Sequence, residues 1–416
     1  MAATLEKINI NGVEVPVIYE ESKLVPAFNL KLIFTNGGEL GTFMSSKKDY
    51  ASSITDLGSA ILEEGTKQLG SVKFAQELEE RSITLSSDSG RESLSISLSA
   101  LKEDMGDALG YLDALLRSPN LTPKALNKVK EDAIANILQK EADFDEIAND
   151  ELTKILFKGT PCAYIPTQKS IQKVTLKDIE EYYKRHIVLS GLVILAGGDV
   201  SFKEFEKRIQ PILSNFKKGN TYPIQKCTLA QTKENIITKK PTEQAYVYFG
   251  SPLTIQDYAK EAYKMRVAAF VLGAGGFGSR LLEEVRVKRG LAYSAYWHAY
   301  NTKSATYGLG YLQTKLDNKD EAIQVVKEVI SDFIQKGITQ EELDAAKKFL
   351  LGSEPLRNET LSQRLSKAYN AYYFGQPLDF GIQELANIER LQLEDINAYI
   401  KQHREILDLS FSIVEK

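Results

Sequence analysis

Histidine is scarce in this chain: its 416 residues hold three, His186, His298 and His403. No two of them stand four apart, so a metal site built on a pair of imidazoles one helical turn apart is excluded. Cysteine is scarcer still. Cys162 and Cys227 are the whole supply and neither belongs to a CxxC. A disulfide framework is therefore not expected, and both read as ordinary core or surface residues. No apolar run approaches the roughly 18 to 20 residues that span a bilayer. Charge of either sign is not in excess: 52 basic against 56 acidic residues give a net −4. That balance offers no footprint for nucleic acid. What remains is a chain with 43% hydrophobic and 26% charged residues. Such proportions are ordinary for a soluble globular protein, and the length calls for two or more domains. No signal peptide is visible, so the chain as written is expected in the cytoplasm. The opening Met1-Ala2-Ala3 also fits the small-residue end of a removed signal, which would place it in the periplasm.

Residues 8 to 19 read as two strands joined at Asn11-Gly12, a strong hairpin signal. From Phe28 to Thr35 apolar and mostly polar residues alternate, as in a half-buried strand. Helices follow at 51 to 64, ending near Gly65-Thr66, and at about 71 to 82. Leu94, Ile96 and Leu98 alternate with serines in a strand. Further helices are expected over about 103 to 117, from Thr122-Pro123 onward, and over Val174 to His186, before a buried strand at 191 to 197. Between 214 and 240 the chain turns polar and lysine-rich and reads as a linker.

Beyond the linker the first half recurs. Thr122 falls on Thr339, Asp178 on Asp395, Tyr182 on Tyr399 and His186 on His403, each at an offset of 217 (339 − 122, 403 − 186). VTLKDIEEYYKRHI overlies LQLEDINAYIKQHR without a gap, and Thr339 with Glu342 forms a capping box at the matching helix start. A period of this length means a duplicated domain and excludes a solenoid. The domain reading is 1–213, a linker over 214–240, and 241–416.

The most specific stretch is Gly275 to Tyr300, GGFGSRLLEEVRVKRGLAYSAYWHAY. A glycine-rich turn leads into a helix in which Leu281, Leu282 and Val285 recur at helical spacing. Arg286, Lys288 and Arg289 crowd its last turn, Gly290 ends it in a left-handed conformation, and an aromatic strand follows. GGFGS lacks the Lys-Ser/Thr that would make it a phosphate loop. This segment resembles the C-terminal half of the zinc peptidase family of pitrilysin, insulin-degrading enzyme and mitochondrial processing peptidase. Members carry an Arg and a Tyr in an R-x-x-x-G-L-x-Y pattern as a substrate-binding pair. Arg286 and Tyr293 stand at that spacing in RVKRGLAY. A guanidinium fork and a phenol hydroxyl are suitable donors for a peptide carbonyl that becomes an oxyanion. The resemblance extends to ILAGGDV at 194–200 and to the duplication. It implies an α+β fold: two homologous α/β-sandwich halves, each an antiparallel-rich sheet covered by helices, arranged as a clamshell.

Active members of the family carry His-x-x-Glu-His on a helix of the first half and a further glutamate downstream, to bind zinc and activate water. Aligned through Gly65-Thr66, that motif falls on Asp56-Leu57-Gly58-Ser59-Ala60. Asp56 and Ala60 replace the histidines and Ser59 the general base. At the family's spacing the downstream glutamate position falls on Asn136. Such a set neither holds zinc nor activates water, so no catalytic and no metal residue is assigned. Glu63 and Glu64 point about 100° apart on a helix and read as its solvated end. His186 and His403, equivalent across the repeat, read as structural; His298 stands alone.

The resemblance then implies a bacterial family member inactive by itself. It would be the zinc-less subunit of a heterodimeric metalloendopeptidase, with Arg286 and Tyr293 binding an extended peptide beside a zinc held by a partner of the same family. The other implied reading is a non-enzymatic peptide-binding or structural scaffold of the same fold, as in respiratory assemblies. No cofactor is expected in this chain. A homodimer is compatible with the sequence, as is none.

Overall fold

Asn11 and Gly12 both adopt the left-handed backbone conformation and close the hairpin that their sequence encodes. It joins β1 (Thr4–Ile10) to β2 (Val13–Glu21) and opens the first of two sheets. The computed structural model of the chain describes residues 3–416. β3 (Ala27–Phe34), β4 (Thr84–Ser89), β5 (Leu94–Leu101) and β6 (Leu192–Gly198) complete that sheet in the order β1-β2-β6-β3-β5-β4. Only β2 and β6 run parallel; the other pairs are antiparallel. One face, with Val15, Val17, Leu30, Leu32, Leu94 and Ile96, packs on helices that include Ala51–Ala60, Met105–Arg117 and Phe202–Leu213. β6 is buried along its whole length. The reason lies on the opposite face, where Ile18, Ile33, Val193 and Leu195 meet Leu365 and Ala368 of the helix Leu361–Tyr373. That helix is pinned to β2 by Arg364, whose Nε donates to the buried Glu20 carboxylate at 2.8 Å.

The second sheet repeats the plan. β7 (Asn235–Lys239), β8 (Gln244–Pro252), β9 (Ala292–Asn301), β10 (Thr306–Lys315) and β11 (Ser410–Glu415) lie in the order β7-β11-β8-β10-β9, with β7 and β11 parallel. Val247, Phe249, Trp297 and Leu312 face the helices Lys319–Lys336 and Leu393–Gln402. The other face carries the helix Phe144–Leu156, with the Phe144 and Tyr246 rings 5.5 Å apart.

The two covering helices are themselves a repeat pair at the offset of 217 (361 − 144, 373 − 156), and each belongs with the sheet of the other sequence half. One unit is therefore built from residues up to Leu138, Pro166–Gln225 and Arg357–Leu378, the other from Gln139–Ile165, Lys226–Leu356 and Asp379–Lys416. The cuts at 213 and 241 do not fall on these boundaries. Neither is 214–240 all linker, since residues 235–239 form β7. Cysteine departs further from expectation. Cys162 and Cys227 form a disulfide within the second unit, buried and tying the 139–165 segment to the chain that leads into β7. No helix among the described residues is long and apolar enough to cross a membrane.

Candidate functional site

The helix Tyr258–Ala269 does not end regularly but widens into a π-helical turn over Phe270–Ala274. A glycine turn follows, with Gly276 at φ 62° and Gly278 at φ 96°. One α-turn, Arg280–Leu282, then leads into a second π-helical stretch, Glu283–Val287. Such widened turns concentrate at functional sites because they re-aim side chains by inserting a residue. Here Leu281, Leu282 and Val285 still point into the core, as their spacing predicts. Gly273 lets this segment approach β9 closely: a Cβ there would lie 2.2 Å from the Trp297 nitrogen. Gly290, at φ 62°, turns the chain back, and Tyr293 is the second residue of β9.

This path brings Arg286 and Tyr293 together. The Arg286 Cζ lies 4.3 Å from the centroid of the Tyr293 ring, and Tyr293 is 77% exposed. Neighbouring cations are all matched by carboxylates. Arg280 grips both oxygens of Glu342 at 2.6 Å and also donates to the Gly337 carbonyl at 2.8 Å. Lys288 and Arg289 both bond Glu284, whose carboxyl they hold below its ordinary range. Arg286 has no such partner among the described residues; it meets aromatic rings instead. Besides Tyr293 it has Phe277, its Cζ 5.0 Å from that ring centroid. Phe277 was not singled out by sequence. The available signal was an aromatic residue flanked by glycines in a polar turn, which no burial requirement explains.

Two of the positions that the zinc motif would span, Gly58 and Ser59, are put to structural use. Asp56, Ser59 and Ala60 lie on the helix Ala51–Ala60, and Asn136 is exposed on the helix Pro123–Lys140. The Ser59 hydroxyl donates to Ser87 Oγ at 3.1 Å, and Ser87 Oγ donates to the Ser59 carbonyl at 2.6 Å, which ties the helix to β4. Tyr182 and Tyr183 press on the same helix. A Cβ on Gly58 would be 2.7 Å from the Tyr182 ring, and the Tyr183 hydroxyl donates to the Gly58 carbonyl at 2.6 Å. No group of His, Cys, Asp and Glu able to hold a metal occurs among the described residues.

Glu64 corrects the reading of a solvated helix end. It is buried beneath Ser71 and Lys128, both of which donate to its carboxylate. Glu63 accepts from the Ser87 backbone at 3.1 Å. His186 is sealed in the first unit, its Nε2 2.9 Å from Ser45 Oγ. His403 Nδ1 pairs with Glu405 at 2.9 Å. His298 lies half-buried on β9 beside Tyr296, its ring held below its ordinary pKa by burial.

Comparison with known proteins gives the family. The family model for the peptidase M16 inactive domain matches residues 173–350, which include Arg286 and Tyr293. The model for insulinase, peptidase family M16, matches residues 53–166, which include the substituted motif. A protein of Helicobacter pylori named non-peptidase homolog YmxG is 45% identical over 415 residues, 99% of this chain and 94% of that one. A Bacillus subtilis protein named uncharacterized zinc protease YmxG is 25% identical over 308 residues, 73% of each chain. Among solved structures, the peptidase M16 inactive domain from Pseudomonas fluorescens has a TM-score of 0.88 at 22% identity, covering 99% of this chain and 98% of that one.

Proposed function

The chain belongs to peptidase family M16 as a member without the family's zinc ligands, and from that premise we propose that it is a peptide-binding subunit completing the active site of a zinc-bearing partner. The observation that carries this reading is Arg286. A guanidinium with no carboxylate partner, beside an exposed tyrosine, keeps its N–H donors for a ligand, whereas its neighbours Arg280, Lys288 and Arg289 are engaged within the fold. Arg286 would bind a backbone carbonyl of an extended peptide, and the Tyr293 hydroxyl would donate to the oxygen that becomes negative as water attacks. The metal and the activated water belong to the partner. A pure scaffold gives no reason for keeping an exposed tyrosine beside an arginine that has no carboxylate partner, which is why the subunit reading is preferred to it.

The test is a mixture. The chain is combined with a zinc-bearing M16 protein of the same organism, and cleavage of a quenched fluorescent peptide is followed. Arg286→Ala and Tyr293→Phe are each expected to slow the mixture roughly a hundredfold, the scale of losing one oxyanion donor. Unchanged rates with both variants would reject the role.

A further inference from the structure

Phe277 stands between Gly276 and Gly278, both at positive φ and both facing open space where a Cβ would sit. Its ring is 75% exposed, a large apolar surface left in water at the tip of a polar turn. The ring is nevertheless placed: its centroid is 5.0 Å from the Arg286 Cζ, with the Tyr293 ring at 4.3 Å from the same carbon. An arginine without a carboxylate partner is oriented by such rings, because the negative face of each attracts the delocalised cation. The N–H edges of the guanidinium then stay available for a planar oxygen acceptor. Two exposed aromatic rings beside those donors form an apolar seat next to a polar grip, the combination that specific peptide sites use.

We infer that Phe277 is a positioning and specificity-determining residue. It orients the Arg286 guanidinium and receives a bulky apolar side chain of the bound peptide, adjacent to the carbonyl that Arg286 holds. The inference rests on the reading of Arg286 and Tyr293 as a peptide-binding pair, and it adds what that pair alone does not supply, a preference among peptides.

The experiment uses the full chain and fluorescein-labelled twelve-residue peptides of Ser, Thr and Gln with one central Phe, Leu or Ala, binding being read by anisotropy. The wild type is expected to favour the Phe and Leu peptides over the Ala peptide by about tenfold. Phe277→Ala should erase that preference and Phe277→Trp should restore it, while Arg286→Ala weakens all three peptides alike. Phenylglyoxal modification of Arg286, mapped by mass spectrometry, gives a second readout. Its rate should change in Phe277→Ala and return in Phe277→Trp, with near-ultraviolet circular dichroism confirming an intact fold. A preference retained in Phe277→Ala, or none in the wild type, overturns the inference and leaves the pair's role standing if Arg286→Ala still weakens binding. Failure of the wild type to bind any of the peptides overturns both.

Discussion

His186 lies under Ser45 between the rings of Tyr182 and Tyr222, 5.3 and 5.8 Å away, and burial lowers its pKa to about 4. In the unfolded chain the imidazole takes up its proton near its ordinary value of about 6.5. Between those two values the unfolded state binds more protons than the folded one. Stability therefore falls as pH drops from about 6.5 to about 4 and levels off below, a loss of about 3 kcal/mol from this group. His186→Gln, which keeps a polar partner for Ser45, should flatten that window. Urea midpoints at pH 7 and pH 4.5 read it, and equal pH dependence in variant and wild type would reject the assignment. The repeat marks His186 and His403 as structural, and their burial follows from that. Other residues were less legible. Arg286 and Tyr293 are legible only through the resemblance to the family's R-x-x-x-G-L-x-Y pattern. The contact of Phe277 with Arg286 is not legible in the sequence because it depends on a ring reaching across a turn. The burial of Glu64 is not legible locally because it depends on Lys128, distant in sequence.

At the scale of elements, the hairpin, the alternating strand β3 and the capped helices follow from local rules, because turn chemistry and periodicity are local. The π-helical turns at 270–274 and 283–287 do not: their sequences carry ordinary helical spacing, and the first packs closely on β9 at Gly273. Reciprocal placement of the helices 144–156 and 361–373 is equally non-local, and visible only once both sheets are seen to need a cover on their second face. The Cys162–Cys227 disulfide had no signal, since two isolated cysteines do not reveal a pair. It bears on compartment, because such bonds persist in oxidising surroundings and are rare in the cytosol. We propose on that ground that the protein works in an oxidising compartment such as the periplasm, with both sulfurs oxidised. Alkylation in denaturant immediately after acid quenching of cells should label neither cysteine; two labelled thiols would contradict this.

Over the whole molecule the duplication is the organising fact, and it was plain in the sequence because the helix 176–186 and its repeat align without a gap. The two units differ in what they carry: the first holds the substituted zinc-motif positions and the second the Arg–Tyr pattern. In the first unit, Ser59 and Gly58 tie the helix 51–60 to β4 and to the helix 176–186. In the second, Arg286 and Tyr293 remain outside the fold's own ion pairs. Under the proposed function, peptidase chemistry is divided between chains and this one keeps the binding part. Its most direct test is the zinc content of the purified chain after zinc loading and desalting, measured by mass spectrometry with a peptidase assay on the same sample. The account predicts neither stoichiometric zinc nor cleavage. Stoichiometric zinc together with chelator-sensitive cleavage by the chain alone would contradict it.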